Sequence, residues 1–146
     1  MIRILSVGAA LAVVATVAYA QNLEAVKQRR EAMKAVGAAA KEPGAMIKGE
    51  ADFDLAKVQK ALKVYQEQAQ KLPGLYPDDS KTGGDTAALP AIWERKEEFV
   101  ASYEKLAKDA ATASATIKDE ASFRTEWPKV MGNCGTCHKV FRKEKS

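Results

Sequence analysis

The residues best suited to chemistry lie in one short stretch near the C-terminus, Cys134-Gly135-Thr136-Cys137-His138. The chain has two cysteines and one histidine, and all three lie in this stretch. A C-x-x-C-H run is the attachment signature of c-type haem. Each thiol can add to one haem vinyl group to form a thioether bond, and the adjacent histidine can bind the iron. The spacing therefore predicts one covalently attached haem c, with His138 as an axial ligand.

Three other interpretations explain this motif less well. A thioredoxin-type C-x-x-C lies near a βαβ pattern, which is not visible in this sequence. A structural zinc site takes four ligands, and no cysteine or histidine remains outside the motif to complete one. A disulfide between Cys134 and Cys137 stays open as an alternative, but it would leave His138 without a role.

Residues 1–20 are predicted to be a secretory signal peptide that is cleaved. Arg3 provides the positive start, residues 4–17 are apolar, and Ala18-Tyr19-Ala20 matches an A-x-A cleavage site. A membrane anchor is the alternative, but the apolar run is short for a span, which needs about 20 residues. Because bacteria attach c-type haem after export, we expect a periplasmic protein with no stable membrane insertion after cleavage.

The remaining residues, 21–146, are predicted to form one domain of ordinary size. The whole chain has a formal net charge of +4 at pH 7. Its lysines and arginines are interspersed with acidic residues, which is typical of solvated helix surfaces. The mild positive charge therefore does not indicate a nucleic-acid partner.

Apolar residues recur at helical spacing in four segments, and no convincing strand alternation is present. We expect helices over about 22–41, 53–72 and 90–112, and a fourth that leads into the haem motif. Pro43-Gly44 should end or kink the first helix, and Pro128 predicts a bend or restart of the last near Arg124. Residues 73–89 form the long connection, which could cover one end of the fold. The pattern predicts an all-α, antiparallel four-helix bundle, a fold that builds cofactor sites between facing helices.

The chain resembles the class II cytochromes c, the group of cytochromes c′ and low-spin cytochromes c-556, over essentially all of residues 21–146. The matching pieces are Val26-Lys27-Gln28-Arg29 with Met33, the Leu-Pro-Gly-Leu-Tyr-Pro run at 72–77, the Leu-Pro-Ala-Ile-Trp run at 89–93, and the final run 134–142. The position of the C-x-x-C-H motif near the C-terminus also distinguishes this chain from class I cytochromes c, which carry the motif near the N-terminus.

This resemblance implies roles for individual residues. Cys134 and Cys137 would bind the haem, and His138 would be the proximal ligand. Arg142, one helical turn further on, would lie beside that histidine or the haem edge. Arg29 matches an arginine of the first helix that lies near the haem propionates.

The resemblance also places Met33 on the distal side of the iron, four residues after Arg29. A methionine ligand there would give a low-spin iron suited to electron transfer, because both oxidation states keep the same ligands. From the spacing alone, a methionine that fills a gap in the core is the alternative. Met46 is a weaker candidate ligand, and Met131 shares a helix with His138 and should not reach the opposite face.

The aromatic residues of the predicted helices are interpreted as packing. This applies to Tyr65 and Tyr103, and to Trp93, for which contact with the haem edge is the alternative.

The sequence therefore predicts a periplasmic monohaem electron carrier rather than an enzyme, with redox proteins as partners. The first rival is a high-spin protein of the cytochrome c′ type that binds or sequesters gases such as NO. A bundle without haem that acts as an interaction protein is the second rival. A peroxidase is disfavoured because no distal histidine is available. Family members often dimerise through the first two helices, so the resemblance allows a homodimer.

Overall fold

Helices make up most of the computed structural model, which describes residues 23–144. They are α1 (23–39), α2 (Lys41–Lys48), α3 (Leu55–Lys71), α4 (Ala91–Glu94), α5 (Lys96–Thr116) and α6 (Glu120–Phe141). Within residues 23–144 none of these helices is long and apolar enough to span a membrane. The predicted signal peptide, residues 1–20, and residue 22, where the first predicted helix begins, lie outside the described residues.

The long helices α1, α3, α5 and α6 form the predicted antiparallel four-helix bundle. Helix α5 packs against both α3 and α6. The apolar stripes read from the sequence are buried in the core: Val58, Leu62, Tyr65 and Ala69 on α3, Phe99, Tyr103, Leu106 and Ala110 on α5, and Phe123, Trp127, Val130 and Phe141 on α6. Fully burying one such side chain stabilises a fold by about 1.5–3 kcal/mol, so these stripes hold the bundle together.

The first predicted helix is interrupted at Ala40 rather than at Pro43-Gly44. Helix α1 ends at residue 39, and α2 begins at Lys41 and continues through Pro43 to Lys48. Pro43 is the third residue of α2, where a backbone N–H would have no partner within the helix, so the proline is tolerated. The segment ends at Gly49, whose φ of 76° favours glycine.

The third predicted helix is divided in two. Arg95, with φ −124° and ψ 47°, separates α4 from α5. Its N–H donates to the carbonyl of Ala91 at 2.9 Å and closes α4. Pro90 takes the N-cap position instead of the first helical position, and α5 extends to Thr116.

The last helix does not restart at Pro128. Helix α6 is continuous from Glu120 to Phe141, with Pro128 inside it. The proline cannot donate to the carbonyl of Arg124, but both residues are exposed, so water can hydrate that carbonyl. Asp119 and Ser122 form a capping box at the start of the helix. Of the two possibilities, a bend or a restart, the restart is therefore excluded, and the haem motif belongs to one uninterrupted helix.

The long connection lies between α3 and α4. It contains two short 3-10 helices, Leu72–Leu75 and Asp78–Ser80. Gly83 and Gly84 have φ values of 95° and 59°, a region that residues with a Cβ rarely adopt. Ala88 then pairs with Arg142 in an isolated antiparallel bridge. We call residues 77–89 the connecting strap.

Candidate cofactor site

A cavity of about 660 Å³ is bordered by helices of the bundle and by the connecting strap. Its volume lies within the roughly 300–1,000 Å³ that small-molecule and cofactor sites usually have. It is lined by every site residue that the sequence predicts: Arg29, Met33, Cys134, Cys137, His138 and Arg142. The tertiary structure thus brings residues of the first and the last helix to one place.

The thiols and the imidazole are supplied by α6. Cys134 and His138 are four residues apart on this helix, so they lie on the same face. Both cysteines are free thiols and partly buried, and Cys137 also borders the cavity. The helix thereby presents two thiols and one imidazole to the same space, which is the donor set that a c-type haem requires.

Burial adjusts the protonation of these groups. It raises the pKa of the Cys134 and Cys137 thiols. It lowers the pKa of His138, and the positive charge of Arg142 lowers that pKa further. The imidazole is therefore neutral at pH 7, which is the form that binds a metal ion.

Met33 borders the same cavity from α1 and is partly buried. Met131 also lines the cavity, but it lies on α6 together with His138, and its sulfur accepts a hydrogen bond from Tyr65 Oη at 3.7 Å. Met46 is 3 % exposed and belongs to the core rather than to this cavity. Among the described residues, Met33 is the methionine that borders the cavity from a helix other than that of His138.

Arg29 is a buried cation held by the connecting strap. Its side chain is 4 % exposed. Nη1 donates to Ser80 Oγ at 3.0 Å, and Nη2 donates to Thr86 Oγ1 at 2.6 Å and to the Ser80 carbonyl at 3.1 Å. The guanidinium also lies 4.8 Å from the ring centroid of Tyr76.

The charge of Arg29 is not balanced by a carboxylate in the described part of the chain, where the ion pairs involve other residues. Burial lowers its pKa, but an arginine stays protonated at neutral pH. A buried charge is costly without an opposite charge nearby. The cavity beside Arg29 is therefore suited to an anionic group, as the predicted role near the haem propionates requires.

Four cationic side chains and one carboxylate border the cavity. The cations are Arg29, Arg30, Lys34 and Arg142, and the carboxylate is Asp85. Arg30 pairs with Asp85 at 2.9 Å, and both side chains are exposed. The excess of positive charge complements the two carboxylates of haem. Donor types, volume and charge all fit haem c, which Cys134, Cys137 and His138 would hold.

Several residues of the site have roles that the sequence interpretation missed. Tyr65 and Tyr103, predicted as packing, are buried and also line the cavity. Ser80 and Thr86 bind Arg29, although they lie 51 and 57 residues away in sequence. The helical spacing of apolar residues shows that each tyrosine lies on the inward face of its helix. No local pattern, however, indicates the hydrogen bonds between Arg29 and the distant residues Ser80 and Thr86.

Trp93 packs within the fold and is not part of the cavity wall. Its Nε1 donates to the carbonyls of Tyr76 at 3.1 Å and Pro77 at 3.3 Å. Its ring packs against Tyr76 with the centroids 6.0 Å apart. The packing interpretation is therefore the one that the geometry supports.

Comparisons with known proteins identify the family of this chain. The family model described as cytochrome C′ matches residues 24–142. A cytochrome c′ from Rhodopseudomonas palustris is 51% identical over 123 residues, covering 84% of each chain. A cytochrome c-556 from Agrobacterium fabrum is 36% identical over 121 residues, covering 82% of each chain. A solved structure of the Rhodopseudomonas palustris cytochrome c′ superposes with a TM-score of 0.82 at 52% identity, and the match covers 84% of this chain and 98% of that one.

Proposed function

Because the chain belongs to the cytochrome c′ family, whose members carry covalently attached haem c, we propose that it is a periplasmic monohaem electron-transfer protein. His138 and Met33 would hold its iron. The observation that carries this proposal is that Met33 on α1 and His138 on α6 border the same cavity as the two cysteines. Haem supplies a one-electron couple between Fe(III) and Fe(II).

Cys134 and Cys137 would hold the cofactor by two thioether bonds, which would keep it in place during repeated electron transfer. His138 is neutral in its buried environment and offers a nitrogen lone pair. Met33 offers a neutral thioether from a different helix. If both residues held the iron in both oxidation states, the structural change on electron transfer would be small, and the thioether of Met33 would raise the reduction potential.

One wall of the cavity is formed by buried aromatic side chains and would keep water away from that side of the cofactor. These side chains are Tyr65, Phe99, Tyr103 and Phe141, all of which are at most 5 % exposed. The ring centroids of Phe99 lie 5.1 Å from Tyr103 and 5.3 Å from Phe141, so these rings form one packed wall. Burial raises the pKa of Tyr65 and Tyr103, so both hydroxyls stay protonated at neutral pH.

The experiment that tests this proposal replaces Met33 by Leu, a change that roughly conserves volume. The protein is exported from cells that attach c-type haem, and optical and EPR spectra of the ferric form are recorded. We expect a low-spin signal with the far-red band of methionine ligation in the wild type, and its loss in Met33→Leu. The matched control is Met131→Leu, which removes a sulfur that lines the same cavity from α6 and should leave the spectrum unchanged.

A high-spin wild-type spectrum that Met33→Leu does not alter would contradict the proposal. Met33 would then be a packing residue, and the sixth position would be open to small molecules. The function favoured in that case is the binding of gases such as NO.

A further inference from the structure

The connecting strap, residues 77–89, is bonded to the helix that carries Met33. Arg29 lies one turn before Met33 on α1. Its guanidinium donates to the hydroxyls of Ser80 and Thr86 at 3.0 and 2.6 Å, and to the Ser80 carbonyl at 3.1 Å. These are hydrogen bonds from a charged donor, which are stronger than those between neutral groups. The strap is therefore held firmly against α1.

The same strap is bonded to the chain that follows His138. Ala88 pairs with Arg142. The backbone N–H of Leu89 donates to the carbonyl of Phe141 at 3.0 Å, and that of Lys143 donates to the carbonyl of Ala87 at 2.9 Å. Helix α6 ends at Phe141, so these bonds fix its last turn, in which His138 lies.

Thr86 connects the two sets of bonds. Its Oγ1 accepts hydrogen bonds from Arg29 and from the backbone N–H of Ala88 at 3.2 Å. Ser80 is 0 % exposed, and its hydroxyl donates to the carbonyl of Pro77 at 2.8 Å, so its position is set within the strap. The strap is thus hydrogen-bonded to Arg29 through Ser80 and Thr86, and to the end of α6 through Ala87 and Leu89, the two neighbours of Ala88.

We propose that this clamp, formed by Arg29, Ser80, Thr86 and Ala88, holds α1 and α6 at the separation that keeps Met33 bound to the iron. This inference rests on the proposed function. Ser80 and Thr86 are positioning residues that act through Arg29, and Ser80 does not line the cavity. Neighbouring groups that orient a metal ligand commonly change metal affinity by about 10–100-fold. Met33 is carried by α1 and His138 by α6, so the placement of the thioether relative to the imidazole depends on how these two helices are held.

The test is the rate at which carbon monoxide binds the ferrous haem protein, since Met33 must leave before CO can bind. Thr86→Val keeps the side-chain shape but removes the hydroxyl, and Ser80→Ala removes the second one. We expect each variant to bind CO about tenfold faster than the wild type, the lower end of the range for a supporting group. Thr86→Ser, which keeps the hydroxyl, should restore a rate close to that of the wild type.

The matched control is Ser114→Ala. It removes a side-chain hydrogen bond between Ser114 and Gln59, which joins α5 to α3, and neither residue lines the cavity. Thermal unfolding is measured for every variant. If Ser114→Ala accelerates CO binding as much as Thr86→Val does, general loosening explains the effect and the clamp is overturned.

Two further outcomes separate this inference from the proposed function. A low-spin wild type whose CO rate is the same in Thr86→Val overturns the clamp alone. A high-spin wild type, unchanged by Met33→Leu, overturns both. A low-spin wild type with faster CO binding in Thr86→Val and Ser80→Ala, and not in Ser114→Ala, supports the clamp.

Discussion

At the scale of single residues, Arg142 is the charge most directly linked to the proposed proximal ligand. It lines the cavity, follows the last residue of α6 as its C-cap, four residues after His138, and its charge lowers the pKa of that histidine. Its backbone N–H donates to the carbonyl of His138 at 3.2 Å. A fixed positive charge beside the site favours the reduced iron, which carries one positive charge fewer than the oxidised iron.

We predict that Arg142→Gln lowers the reduction potential by roughly tens of millivolts, the order expected for one partly buried charge. The measurement is a spectroelectrochemical titration at pH 7. Lys139→Gln is the matched control, because Lys139 lies on the same helix but is exposed and does not line the cavity. An equal shift in both variants would show that only the total charge matters.

At the scale of elements, the placement of α6 matters most, because this helix must present both thiols and the imidazole to the same cavity. Its start is determined by a capping box: Asp119 accepts a hydrogen bond from the Ser122 N–H at 2.8 Å, and the Ser122 hydroxyl accepts one from the Asp119 N–H at 3.1 Å. Asn133 then donates to Asp109 at 2.8 Å, which joins α6 to α5 one residue before Cys134.

We predict that Asp119→Ala lowers the melting temperature by several degrees at pH 7, because α6 loses its N-cap. The hydrogen bonds from Ser122 lower the pKa of Asp119 below its usual 3.8. The carboxylate therefore stabilises the fold fully above pH 3.8, and this contribution is lost as pH falls through the lower, folded-state pKa. The melting temperatures of the wild type and of Asp119→Ala, measured across this pH range, should therefore become equal at acidic pH. A constant difference at all pH values would contradict the capping role.

At the scale of the whole molecule, proposed export and haem attachment are linked. Residues 1–20 are proposed to be removed, and residues 21–146 to form the haem-bearing bundle. A periplasmic location matters because exposed thiols are readily oxidised there, and attachment would convert both cysteines of the chain into thioethers.

We predict that periplasmic extracts of bacteria with haem-attachment machinery yield a protein whose intact mass equals residues 21–146 plus one haem. The mass should be unchanged after denaturation, because thioether bonds survive unfolding. A double variant, Cys134→Ala with Cys137→Ala, should lose the added mass under the same conditions. Recovery of the full-length chain in the membrane fraction would contradict both cleavage and the periplasmic location.

The helices and their inward faces could be predicted from the sequence because burial repeats every three to four residues along a helix. The stripe of α3, from Val58 to Ala69, is buried as expected. The effect of the prolines on helix boundaries was harder to predict from the sequence. Pro43 and Pro128 both lie inside helices. They are tolerated because Pro43 lies in the first turn of α2 and Pro128 on an exposed face of α6, and neither context is visible in the local residue pattern.

By itself, the sequence determined the chemistry that α6 can offer, since Cys134, Cys137 and His138 lie within five consecutive residues and share a helix face wherever this stretch is helical. Only the tertiary structure decided that Met33 borders the same cavity, and that Arg29 is buried against Ser80 and Thr86. The reason is physical: short-range spacing follows from helix geometry, whereas contacts between distant segments arise only when the packed core brings those segments together.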